Sequence, residues 1–214
     1  MKNIASPLFA GLTDADWDAL TAAGHLRTRR FSRREVIFHA GDHVHEIGVV
    51  LRGTVHIENL DLWGCKSILT QVPAGQVFAE TYAFCGDALM VDAVAAEDCE
   101  ILFVKAAAFS SGSVPAQNRL LQNLLTVSMR KNLSLSQRIF CTTPKTVRGR
   151  LLTYFSAQAA RCGSLQFEIP FNRQQLADYL NLDRSALSKE LCKMRDEGLL
   201  EFEKNRFCLK EDLE

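Results

Sequence analysis

The hydrophobic period changes along the chain. Residues 13–23 fit one short helix: Thr13 can cap it, Asp14, Asp16 and Asp18 put negative charge in its first turn, and Gly24 closes it. From Arg27 to Val104 the spacing is that of strands. Apolar and β-branched runs at 35–39, 47–51, 55–58, 67–71 and 101–104 are cut by Gly41-Asp42, Arg52-Gly53, Asp61-Leu62-Trp63-Gly64 and Pro73-Ala74-Gly75. Turn signals about every 8–12 residues predict an antiparallel sandwich or barrel, and a jelly roll fits the count. After Pro115 the period becomes helical. Leu121, Leu125, Ser128, Asn132, Leu135 and Ile139 alternate spacings of four and three, the seam of a coiled coil. Leu120, Leu124 and Val127 form a second stripe beside it. Two stripes call for two partners, the barrel for one and a second copy of the chain for the other. A single amphipathic helix in a monomer core is the alternative. Asn132 on the seam trades stability for register.

Cys141-Thr142-Thr143-Pro144 breaks this helix, because proline lacks an N–H and disfavours helix just before it. Residues 146–161 are helical again, with Val147, Leu151, Tyr154 and Phe155 on one face. Gly163 ends that helix, and 165–169 reads as a short strand. Next, Asn172 can cap a helix running to Leu180, Asn181 suits a left-handed inter-helix turn, and Asp183 can cap a second helix. Leu176, Leu180 and Leu182 face inward, Ala177 is small where the helices cross, and Leu187, Leu191 and Met194 share one face. This leaves Arg184, Ser185, Ser188 and Lys189 outward on the N-terminal face of the second helix, where a recognition helix meets bases and phosphates. Arginine can bond guanine twice, serine suits base or phosphate, and lysine suits phosphate or guanine. Arg173, at the entry of the first helix, completes the candidate DNA contacts. Gly198 ends the second helix, and 199–203 with 206–209 flank Lys204-Asn205 as a hairpin, the wing of a winged helix.

Charge sharpens this picture. The formal net charge is zero. Yet residues 1–129 carry 10 basic and 14 acidic side chains, 130–195 carry 12 and 4, and 196–214 carry 3 and 7. A net +8 block in an otherwise acidic chain points to a polyanion, with nucleic acid as the default. Apolar runs are too short to span a bilayer, and 1–11 lacks a secretory layout. The 7 cysteines form no C-x-x-C pair, so a reducing cytoplasm is expected rather than a disulfide framework.

The chain resembles Crp/Fnr-type transcription regulators. The residues that carry the resemblance are Gly41-Asp42, Gly53, Gly75-Gln76-Val77-Phe78-Ala79-Glu80, and 173–199 with its Arg-Ser-Ala-Leu-Ser-Lys-Glu-Leu core. The resemblance implies an α+β chain: an N-terminal antiparallel β jelly-roll barrel that senses an effector (1–114), a long dimerisation helix and hinge (115–143), and a C-terminal winged helix-turn-helix (144–214). It implies a homodimer on double-stranded DNA with two-fold-related half-sites, and contact with RNA polymerase near 160–164. An effector pocket is expected around Phe78, Glu80, Thr81 and Tyr82, with Ser136 of the long helix adding a polar contact. No enzyme activity, metal or particular cofactor is expected.

The effector is narrowed by chemistry. Cyclic-nucleotide-binding relatives hold the ribose with a Glu, matched here by Glu80, and the phosphate with an Arg. Met90 and Val91 stand near that Arg's place, and Asp87 and Asp92 add negative charge. A buried phosphate without a cation is unfavourable by several kcal/mol, so a cyclic nucleotide is not expected. Oxygen-sensing relatives carry an N-terminal cysteine cluster, whereas the first cysteine here is Cys65. A small-molecule or redox effector stays open, with Cys65, Cys85 and Cys99 as thiol candidates. His39, His43 and His45 raise two alternatives: metal or haem sensing, or a cupin-like metalloenzyme with an appended DNA-binding domain. The cupin pattern lacks its spaced carboxylate, since Glu46 follows His45 at once, and has Phe78 where a remote histidine belongs.

Overall fold

The computed structural model describes residues 4–60, 66–109 and 115–210. The expected turn at Asp61-Leu62-Trp63-Gly64 and the thiol candidate Cys65 lie outside the described residues. The chain forms two compact units, Met1–Met129 and Arg130–Glu214.

The first unit opens with α1 (Asp14–Ala22), held by a capping box in which Thr13 and Asp16 bond each other's backbone amides. Eight strands follow: β1 (Leu26–Phe31), β2 (Val36–Phe38), β3 (Glu46–Arg52), β4 (Thr54–Leu60), β5 (Lys66–Pro73), β6 (Val77–Phe78), β7 (Asp92–Ala95) and β8 (Cys99–Lys105). They pair antiparallel in two sheets, in the orders β1-β8-β3-β6 and β2-β7-β4-β5. This is the expected two-sheet roll. β3 and β8 are continuous apolar runs because they lie centrally in their sheet, buried on both faces. Phe31, Phe78 and Phe103 fill the space inside the roll, together with Val50, Val55 and Ile101. Gly48 is required there: a Cβ on it would lie 2.2 Å from the Phe78 ring. A helix, α2 (Glu80–Cys85), interrupts the strands after Ala79, which takes a left-handed φ of 63° without being glycine.

The long helix α3 (Pro115–Thr142) is continuous over 28 residues. Its Leu120, Leu124 and Val127 are buried with Leu8, Phe9, Trp17 and Leu20 in a second core of the first unit. That is the role expected of the second stripe.

The second unit continues with α4 (Val147–Cys162), β9 (Gln166–Glu168), α5 (Arg173–Leu180), α6 (Arg184–Asp196), β10 (Leu200–Glu203) and β11 (Arg206–Leu209). The three strands form one sheet in the order β10-β11-β9. Leu151, Tyr154 and Phe155 of α4 sit under α5 and α6 in a shared core. Tyr154 packs against Phe155, Phe171 and Tyr179, with ring centroids 5.6–6.3 Å away. Its buried hydroxyl has no hydrogen-bond partner among the described residues, and burial raises its pKa. An unsatisfied buried hydroxyl costs about 1–3 kcal/mol. Tyr154→Phe should therefore raise the melting temperature, or at least not lower it. Thermal unfolding by circular dichroism checks this, and a clear loss of stability would show that the hydroxyl has a partner.

Candidate nucleic-acid interface

The sequence builds α5, its turn and α6 from local signals. Asn172 caps α5 in a reciprocal box with Gln175. Asn181 adopts φ 53° and donates its N–H to the carbonyls of Ala177 and Asp178, so the chain reverses with the last turn of α5 satisfied. Asp183 caps α6, accepting from the amides of Ser185 at 2.8 Å and Ala186 at 3.0 Å and from the Ser185 hydroxyl. The Ser185 hydroxyl, and then these amides, hold the Asp183 carboxyl below the usual carboxylate range. Leu176, Ala177 and Leu180 meet Leu187, Leu191 and Met194, all fully buried.

With that face buried, Arg184, Ser185 and Lys189 are exposed and Ser188 is half-buried. Neither Arg184 nor Lys189 makes an ion pair among the described residues. The acids of α6 and its C-cap are neutralised elsewhere: Arg148 of α4 reaches Glu190 at 2.6 Å and Glu197 at 2.7 Å. Nothing in the helical period pointed to Arg148, because its partners are more than forty residues away. Among the described residues the unpaired cations of α6 are thus Arg184, at its N-terminal end where backbone amides add partial positive charge, and Lys189 in its second turn.

Arg173 stands apart from the other predicted contacts. Its guanidinium lies 4.8 Å from the Phe202 ring centroid and 5.1 Å from that of Phe207. Burial there lowers its pKa. It therefore packs against the hairpin, as does Arg195, 5.6 Å from the Phe202 centroid.

In the roll, Phe78 is buried, with its ring 5.9 Å from that of Phe38. Glu80 is buried in the first turn of α2, Thr81 is exposed and Tyr82 is half-buried against the core. Met90, near the place of a phosphate-binding arginine, is 76% exposed. Asp92 accepts the Ala40 amide at 2.7 Å. Ser136 is exposed on α3. His39, His43 and His45 are all exposed, and His43 Nδ1 donates to the Gly86 carbonyl at 3.0 Å. Among the described residues no group of three or more His, Cys, Asp or Glu is gathered to hold a metal ion. Cys85 is exposed, whereas Cys99 is buried and burial raises its thiol pKa, which disfavours the reactive thiolate.

The seam residues of α3 are open in the single chain. Leu125, Leu135 and Ile139 are 57%, 60% and 66% exposed, and Asn132 is exposed with them. Met129, Leu133 and Phe140, spaced four and seven apart, are also exposed and widen the apolar face. No described helix is long and apolar enough to cross a membrane.

Two family models match the sequence: the cyclic nucleotide-binding domain over residues 28–111 and the Crp-like helix-turn-helix domain over 149–212. No curated protein matches it. Among solved structures, it is similar to the c-di-GMP responsive global regulator CLP of Xanthomonas campestris, with 20% identity over 92% of this chain and 99% of that one and a TM-score of 0.56. It is also similar to CprK in complex with OCPA, with 11% identity over 88% of this chain and 87% of that one and a TM-score of 0.63. At these identities the likeness is one of fold. The two domain models, in this order and together spanning most of the chain, fall on the observed roll and on the capped helix pair with its hairpin, on either side of the long helix: the chain belongs to the Crp/Fnr family of DNA-binding transcription regulators.

Proposed function

We propose that the chain acts as a homodimer that reads a two-fold-related DNA site in the cytoplasm. Its affinity would be set by an effector other than a cyclic nucleotide. The observation that carries this reading is α6: a capped helix that presents Arg184 and Lys189 outward, beside the half-buried Ser188, with no competing ion pair among the described residues. The exposed apolar stripe of α3 supports the dimer, because a monomer would leave it in water. Arg173, packed on the hairpin, steadies the wing beside the proposed DNA contacts. In contact with RNA polymerase, the end of α4 and the turn after it, residues 160–164, are the proposed surface. The exposed, ungathered histidines give no support to a metal or haem sensor or to a metalloenzyme.

The site is tested by selecting bound sequences from random DNA with the purified protein. The expected product is an inverted repeat with half-site centres about 34 Å apart, one helical turn. A lone half-site or no enrichment, with and without cell extract, would overturn it.

The effector reading rests on the missing cation. A ligand bound only to the folded state at about 100 times its Kd stabilises by about 2.7 kcal/mol. Cyclic AMP at millimolar concentration should leave both melting temperature and DNA affinity unchanged. A saturable rise in either would restore the cyclic nucleotide as effector.

A further inference from the structure

We infer that Arg138 is a positioning residue. It fastens the C-terminal end of α5 to the last turns of α3, so that the reading head turns with the dimer seam instead of swinging about the loop after α3. This rests on the dimeric, DNA-reading function proposed above. Arg138 Nε donates to the Tyr179 carbonyl and its Nη2 to the Asp178 carbonyl, both at 3.1 Å. These belong to the last turn of α5, whose carbonyls carry partial negative charge; the Asp178 carbonyl also accepts the Asn181 N–H, and the guanidinium uses its second lone pair. The guanidinium also lies 5.9 Å from the Tyr179 ring centroid. Arg138 precedes the exposed seam residue Ile139 directly and follows Leu135 by three.

Two further observations place the rigid joint here. Cys141, three residues on, is 2% exposed in the same core as Leu151 and Leu180, so the end of α3 is part of the reading head. Arg150 then ties down the α3–α4 loop: its Nε donates to the Pro144 carbonyl at 2.8 Å, and its Nη1 to the carbonyls of Leu180 at 3.0 Å and Asn181 at 2.7 Å. Two arginines thus hold the loop and the α5 terminus together. On this inference, bending falls within α3 before Arg138, not at the proline. The hinge expected at Cys141–Pro144 is reassigned by this inference.

The test uses the full-length protein and a series of selected sites whose half-site spacer is lengthened or shortened by one and two base pairs. Wild type should bind the best spacing at least about tenfold more tightly than its neighbours, because a rigid head fixes the distance. Arg138→Gln should bind with little spacing preference, about threefold or less, while remaining dimeric by light scattering. Arg138→Lys, which keeps charge but cannot bridge two carbonyls in a planar fork, should fall between them. If Arg138→Gln weakens all spacings alike, or changes none, the residue is merely structural and the inference fails. If wild type is dimeric by light scattering yet shows no spacing preference, its reading head is not held rigidly and this inference fails while the dimeric reading stands; a monomeric wild type overturns the dimeric reading first.

Discussion

Leu135→Glu should convert the protein to a monomer and cost at least about a hundredfold in affinity for the full DNA site. Leu135 is 60% exposed in the single chain, one of four apolar seam positions with Leu121, Leu125 and Ile139. Pairing two copies along this stripe would bury all four against their symmetry mates. A glutamate at 135 then faces its own copy across the two-fold axis. Either two carboxylates are desolvated side by side, at a cost of several kcal/mol, or the helices part. Once they part, the second half-site is no longer held at the roughly millimolar effective concentration that a physical link supplies, and binding falls to that of one reading head. Gln122→Glu, also exposed on α3 but off the seam, is the matched control and should stay dimeric. Sedimentation velocity and fluorescence anisotropy on labelled DNA read both quantities. A Leu135→Glu protein that remains dimeric and binds fully would show that some other surface pairs the chains.

The reading head was legible from its sequence because its information is local. Asn172, Asn181 and Asp183 each do their work within three or four residues, and the leucines of α5 and α6 repeat within a turn of one another. The β10–β11 hairpin announces itself by the Lys204-Asn205 turn between apolar runs. The roll was only partly legible. β1 reads Leu-Arg-Thr-Arg-Arg-Phe, too basic for a strand by composition. It forms because it is a sheet edge, where arginines can find distant carboxylates: Arg27 with Glu46, Arg29 with Glu35, Arg30 with Glu100. Arg27 also covers the Phe103 ring at 4.1 Å. Glu35 is six residues from Arg29, but Glu46, Glu100 and Phe103 lie beyond any local window. β6 has two residues and β7 four, below the length at which alternation can be read. α2 begins after Ala79, an N-cap residue with no side chain able to cap it, so it lacks the usual start signal. Arg173 sits beside the motif, and the aromatic hairpin it packs against is assembled from residues about thirty positions later, so that contact is invisible to a local window. Arg138, Arg148 and Arg150 were missed for the same reason, since each acts on carbonyls or carboxylates that only the folded unit brings near.

Arg184→Ala and Lys189→Ala should both weaken DNA binding, but in different ways, and the difference identifies which side chain reads sequence. Arg184 is the first residue of α6 and is exposed, on a helix whose start is fixed by the Asp183 cap. A guanidinium there can bond both acceptors of a guanine edge, worth about 1–3 kcal/mol of discrimination per contact. A dimer presents it twice, so the expected loss on the selected site is about 2–6 kcal/mol, roughly thirtyfold or more. The cost should vanish on sites carrying a substitution at the contacted base, because that contact is then already lost. Lys189, five residues further along and also exposed, carries a point charge suited to phosphate. Its removal should weaken selected and random DNA alike and reduce the slope of log affinity against log salt by about one per subunit. Ser185→Ala should change affinity least of the three, because its hydroxyl already donates to Asp183. Binding isotherms over a range of salt, on the selected site and its single-base variants, separate these outcomes. Should Arg184→Ala lose affinity equally on every sequence, the arginine is a phosphate anchor and base reading by α6 must come from Ser188 or Lys189. Should neither substitution alter binding, α6 is not the helix that enters the groove.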